Sequence, residues 1–176
     1  MTTSRKVKSS IIAGLLGMVF AGSALASKAP EYANIDSVSL KDALVIAKNH
    51  TKAEPIWAER QEEMDQALYR IKLVDVQGKT FNAIVSATSG DIALSNIQIE
   101  RDKDEILRNA GWLSGVNDGR LKSLATVVES TENEFGGQVY EIEIDEDHGI
   151  FTSKFAYEMK YVTSEGKKRS ADVFAQ

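Results

Sequence analysis

Residues 39–50 read SLKDALVIAKNH, and residues 120–131 read RLKSLATVVEST. In the first stretch Leu40, Ala43, Leu44 and Ala47 recur at i, i+3, i+4 and i+7, the stripe of a helix with one buried face. Ser39 followed by Asp42 suits a capping box at its start. In the second stretch Leu121, Leu124, Ala125 and Val128 show the same spacing, with Lys122 standing where Lys41 stood. That pairing sets Leu121 against Leu40 at an offset of 81 residues and predicts a chain that contains one unit twice.

Strand-like sequence follows each helix. Tyr69, Ile71 and Leu73 alternate with Arg70 and Lys72, and Phe155, Tyr157, Met159 and Tyr161 alternate with Glu158 and Lys160. Period two with one apolar face predicts half-buried antiparallel strands, and the second row reads as core beneath the second helix. Each runs into a turn closed by Gly-Lys, at Gly78-Lys79 and Gly166-Lys167. A third strand then places Ala83, Val85 and Ala87 against Ala171, Val173 and Ala175, at an offset of 88. The difference between the offsets implies about seven added residues around Asp145–Lys154, a cheap change because loop entropy grows slowly with length.

The strand directly after each helix is the least alike. Val139–Asp145 alternates well, whereas its counterpart near Pro55-Ile56-Trp57-Ala58-Glu59 is short and opens on proline, which suits an edge strand. The fold class expected is therefore α+β, with a helix plus a three-stranded antiparallel sheet written out twice (α-β-β-β twice) in residues 37–93 and 118–176. Residues 27–36 form an N-terminal extension. Residues 94–117 join the units, with a short helix at Asp102–Ala110 broken by Gly111, Gly115 and Asn117. A ten-residue helix is unstable alone in water and a 60-residue unit is marginal, so the two units should touch.

Residues 1–26 read as an address. Arg5, Lys6 and Lys8 precede the apolar run Ile11–Phe20, and Ala24-Leu25-Ala26 supplies the small-x-small pattern of a signal peptide cut between Ala26 and Ser27. An uncleaved anchor is the other reading, although the run falls short of the ~20 residues that span a bilayer. Cutting there leaves 150 of the 176 residues, in which 18 basic side chains face 26 acidic ones, a charge of −8. That balance disfavours nucleic acid and anionic lipid. There is no cysteine for a disulfide or a lipid anchor. The expectation is a periplasmic or secreted protein with no stable membrane insertion after cleavage, a monomer or weak homodimer.

The string SLKDALVIAKNH, the strand pair and then VQGKTFNAIVSATSGDI resemble the PepSY domain, with Ala87-Thr88-Ser89-Gly90-Asp91-Ile92 similar to that family's closing turn. The second copy matches in helix, hairpin and glycine turn and runs to Gln176 without a counterpart of the closing turn. The resemblance implies a binding or inhibitory module of the bacterial envelope, like those in the propeptides of thermolysin-like proteases and those encoded near two-component sensors. It brings no catalytic residues and no cofactor.

Little in the sequence suggests chemistry. There is no nucleophile elbow, phosphate loop, dinucleotide fingerprint or zinc spacing. His50 ends the first helix, where a cation suits the dipole, and His148 falls in an acidic stretch. The run Glu141, Glu143, Asp145, Glu146, Asp147 and His148 has the hard oxygens of a calcium ligand set, but three of them alternate as the wet face of a strand would. Two tryptophans stand out as binding candidates: Trp57 on the weak strand, and Trp112 in the joining segment as an anchor or, preferably, a plug between units. The function expected is non-catalytic binding that regulates or inhibits a partner protein, a protease or a sensor-kinase ectodomain. The alternative is a cation or ligand sensor using an acidic loop at Glu141–His148.

Overall fold

A computed structural model describes residues 36–98, 102–148 and 153–175. The signal peptide and its cut at Ala26–Ser27 lie outside these, as does most of the extension. Among the described residues the fold is α+β: three helices and one seven-stranded antiparallel sheet in the order β4-β3-β2-β1-β5-β6-β7. The elements in chain order are α1 (Leu40–Thr51), β1 (Glu54–Glu63), β2 (Gln66–Val74), β3 (Thr80–Ser86), β4 (Ile92–Gln98), α2 (Lys103–Asn117), α3 (Leu124–Phe135), β5 (Gln138–His148), β6 (Ser153–Val162) and β7 (Lys168–Phe174).

Both main helices start and stop by the same local chemistry. Ser39 caps α1 by accepting from the Asp42 N–H at 3.1 Å, and Ser123 caps α3 by accepting from the Thr126 N–H at 3.4 Å. Each helix ends on a left-handed residue, Lys52 (φ 60°) or Gly136 (φ 62°). The caps stand 84 residues apart, so Leu40 corresponds to Leu124. The offset of 81 that pairs Leu40 with Leu121 is thereby corrected by three residues. The buried stripes are Leu40, Ala43, Leu44, Ala47 and Leu124, Val127, Val128, Thr131. Leu121 precedes the helix, half-buried, packed on Gly115. A spacing of three to four residues per turn lets a stripe be read one turn early, and only the serine cap marks the start.

Past the helices the correspondence continues atom by atom. Val38 and Lys122, the residues just ahead of the caps, donate their N–H groups to the carbonyls of Ala87 and Ala175, at 2.9 and 2.8 Å. Their own carbonyls accept from tyrosine hydroxyls, Tyr69 to Val38 at 2.8 Å and Tyr157 to Lys122. Register shifts fall between Pro55 and Trp57 in β1 and between Val139 and Glu141 in β5, again 84 apart. The turns at Gly78 (φ 75°) and Gly166 (φ 76°) close with equivalent bonds, from Gly78 N–H to the Asp75 carbonyl and from Gly166 N–H to the Thr163 carbonyl. The residue pairs Glu63–Gln66 and Asp147–Lys154 are equivalent, so the second hairpin is longer by four residues rather than seven, at its tip.

One sheet is formed because β1 pairs antiparallel with β5, as Trp57–Glu143, Ala58–Ile142 and Glu59–Glu141. Ala58 and Ile142 are equivalent residues, so a local two-fold axis passes through that pair. The expected edge strand at Trp57 is thus the central strand of the sheet, and β4 and β7 are the edges. Pro55 is tolerated because pairing with β5 begins two residues beyond it. The short strand expected there runs ten residues, since its second half, Glu59–Glu63, is polar and carries no apolar alternation.

Helices α1 and α3 lie side by side on one face over a single core that includes Ile71, Leu73, Val85, Ile142, Tyr157 and Met159. In the joining region a strand, β4, extends the first unit, and the helix runs to Asn117 rather than stopping near Ala110. Gly111 and Gly115 do not break it. Gly115 is instead the point where Leu121 lies closest, its Cδ1 at 2.5 Å from where a Cβ would stand. Helix α2 ties the units together: Glu105 bonds Lys72 of β2 at 2.7 Å, and the fully buried Trp112 donates its indole N–H to the Tyr157 hydroxyl at 2.9 Å. Burial, more than the opposing Trp112 donor, sets the Tyr157 hydroxyl up at about 12.

Tyr157→Phe leaves the Lys122 carbonyl and the Trp112 indole without their partner. We expect urea unfolding to show a loss of about 1–3 kcal/mol with an unchanged m-value. A loss below ~0.5 kcal/mol would show that the hydroxyl does not hold α3 in place.

Candidate functional site

The face of the sheet turned away from α1 and α3 carries charged side chains brought into register. Strand alternation sends Ala58, Ile71 and Ile142 to the core and their neighbours to this face. Register then lines those neighbours up in rows that cross the sheet. One row runs Asn82, Lys72, Trp57, Glu143, Glu158, Asp172, and the next runs Ile84, Arg70, Glu59, Glu141, Lys160, Ser170.

The two rows differ in charge balance. In the second row Lys160 holds Glu141 at 2.8 Å and Arg70 pairs with Glu63. In the first, Glu143, Glu158 and Asp172 stand directly opposite one another, and none has an ion-pair partner among the described residues. Directly opposed residues have Cβ atoms about 4.5–5.5 Å apart, so like charges there are destabilising. Burial and then the charges of Glu158 and Glu141 push the Glu143 carboxyl above its ordinary range. The residues equivalent to this trio in the first unit are Glu59, Arg70 and Ile84, a balanced set. The acidic bias therefore belongs to the second unit.

The structure sorts the sequence candidates. Trp57 sits half-buried in the middle of the first row beside Glu143. Trp112 has no exposed surface and bonds the Tyr157 hydroxyl of the second unit. Glu141, Glu143 and Asp145 follow one another along one face of β5, about 7 Å apart. The acidic loop expected at Glu141–His148 is a strand: Asp147 pairs with Lys154 and His148 with Ser153. The side chains of Asp147 and His148 lie outside the described residues. Among the described residues no group of three or more His, Cys, Asp or Glu side chains is placed to hold a metal ion. His50 is exposed in the last turn of α1.

One cluster escapes the sequence. Arg60, 7% exposed, lies on the core side of β1 and grips Asp36 with two nitrogens, the second at 2.9 Å, while the Tyr69 hydroxyl lies 3.2 Å from the same carboxylate. Through Asp36 the pair meets the Tyr69 hydroxyl as Trp112 meets the Tyr157 hydroxyl in the second unit. Its only trace in the sequence is an arginine in phase with Ala58 and Ile56.

No family model matches the chain, and no curated protein matches it. Among solved structures it is similar to a "putative lipoprotein" of Clostridium difficile 630, with 17% identity over 78% of this chain and 94% of that one, at a TM-score of 0.40. Among the described residues no helix is long and apolar enough to cross a membrane.

Relieving the acidic row should stabilise the fold. Glu158→Gln is expected to raise unfolding free energy by about 0.5 kcal/mol in low salt, with a smaller gain at high ionic strength. A decrease in low salt would mean that Glu158 has a favourable partner.

Proposed function

We propose that this chain is an exported, non-catalytic binding protein made of two PepSY-like units, and that it regulates another envelope protein by holding it on the face that carries Trp57 and the acidic row. The resemblance in residues 39–92 suggests the class of partner, a protease or the outer domain of a sensor kinase. The element order α1-β1-β2-β3 and α3-β5-β6-β7, a helix followed by three strands in each half, supports this reading.

The observation that carries the proposal is the row Trp57, Glu143, Glu158, Asp172. Three opposed carboxylates cost stability, and a fold that retains such a cost at a surface position has a use for the charge. Beside them is an amphipathic aromatic ring of the kind that anchors interfaces. A basic protein surface is the complement, and the overall negative charge steers it in.

The test is a photo-crosslinking residue placed in the living cell at Ser170, on this face, and separately at Val45, which is exposed on α1. A discrete protein adduct from position 170, absent from position 45 and lost on Glu158→Lys, is the expected result. No adduct from position 170, or equal adducts from both positions, would overturn the proposal.

A further inference from the structure

Strand contact between the two units rests on three residue pairs, and one of them is Glu59 opposite Glu141. Ala58 and Ile142 between them are fully buried, so the carboxylates lie close against the joint, and Glu59 is only 8% exposed. Every charged group that faces them from the neighbouring strands is accounted for. On β2, Arg70 stands opposite Glu59 but pairs with Glu63, and Lys72 opposite Trp57 pairs with Glu105. On β6, Lys160 bonds Glu141 Oε1, and Glu158 stands opposite Glu143. On β5, Tyr140, Glu143 and Asp145 flank Glu141. On β1, Gln61 donates to Glu59 Oε2.

The charge of Glu141 is therefore met by Lys160, yet its Oε2 is buried and accepts no hydrogen bond. Register places the Glu59 carboxyl directly across from it, close enough for two glutamate side chains to meet. We propose that Glu59 takes up a proton in mild acid and shares it with Glu141, which makes the β1–β5 joint a pH-responsive clasp, tight when Glu59 is protonated and loosened when both carboxylates are ionised. This is independent of the binding role proposed above.

Burial, opposed by the Gln61 hydrogen bond and the charges of Lys160 and Arg70 and reinforced by the charge of Glu141, raises the Glu59 carboxyl above its ordinary 4.5. A carboxyl raised by folding contributes stability in full below its unfolded value. That contribution is lost as pH climbs through the raised folded value. The clasp thus closes toward pH 4.5 and opens toward neutrality.

Glu59→Gln is the uncharged isostere and can donate to Glu141 at any pH. Thermal unfolding of the whole protein and of this variant is compared at about pH 5 and about pH 7.5 in one buffer system. The variant should be the more stable at the higher pH, and the drop in midpoint between the two conditions should be about 2–4 °C larger for the unaltered protein. Equal drops, or a variant that is less stable or unfolded at the higher pH, would overturn the clasp. A carbon-13 titration of the Glu59 carboxyl in the unaltered protein gives a second reading. A midpoint above 4.5 that falls on Glu141→Gln is expected. A midpoint at or below 4.5 would overturn it.

Discussion

A tyrosine hydroxyl bonded to the carbonyl just ahead of a helix fixes where that helix sits on its sheet, and this protein uses the bond twice. Tyr69 holds Val38 and Tyr157 holds Lys122, and in each case the held residue also donates its N–H to the carbonyl of the alanine just after the unit's third strand. The second strand and the end of the third are thereby tied to one residue. A twelve-residue helix has little stability of its own. Once its entry is pinned, its four buried side chains are aimed at one stretch of sheet, and the core can close beneath them.

Joining the units through β1 and β5 follows from the same economy. Each unit has a helix on one face only and would leave its first strand as an exposed edge, a surface prone to unwanted pairing. Antiparallel contact about the Ala58–Ile142 pair removes both edges at once and brings α1 beside α3, with Lys41 reaching Glu129 at 3.2 Å. The units are alike in frame and unlike in fittings. Where the first backs its tyrosine with the buried Asp36–Arg60 pair, the second backs it with Trp112 from α2. Where the first has Arg70 and Ile84 on the outer face, the second has Glu158 and Asp172. A shared frame with divergent outer faces is what a protein needs if one half is to recognise something the other does not.

Much of this was legible in the chain. Alternation at Tyr69–Leu73 and Phe155–Tyr161 and the paired Gly-Lys turns fix β2, β3, β6 and β7, because a half-buried strand must show period two. Less was legible where side-chain pattern does not report backbone pairing. The helix register slipped by one turn because Leu121 is apolar and spaced like a stripe residue, although it precedes the Ser123 cap. Pro55 and the polar run Glu59–Glu63 make β1 resemble an edge, and nothing in those residues announces β5 as the partner. Continuous charge at Glu141–His148 hides alternation and resembles a loop, yet backbone bonds extend the strand to His148. The opposed carboxylates are invisible in one dimension: Glu143, Glu158 and Asp172 become a row only once three strands are in register.

Nuclear Overhauser contacts across β1 and β5 test the architecture most directly. Close backbone proton contacts are expected between Ala58 and Ile142, with symmetric contacts from Trp57 to Glu143 and from Glu59 to Glu141. Absence of the Ala58–Ile142 contact, with either strand instead solvent-exposed along that edge or paired elsewhere, would contradict the single sheet and the shared core and face that depend on it.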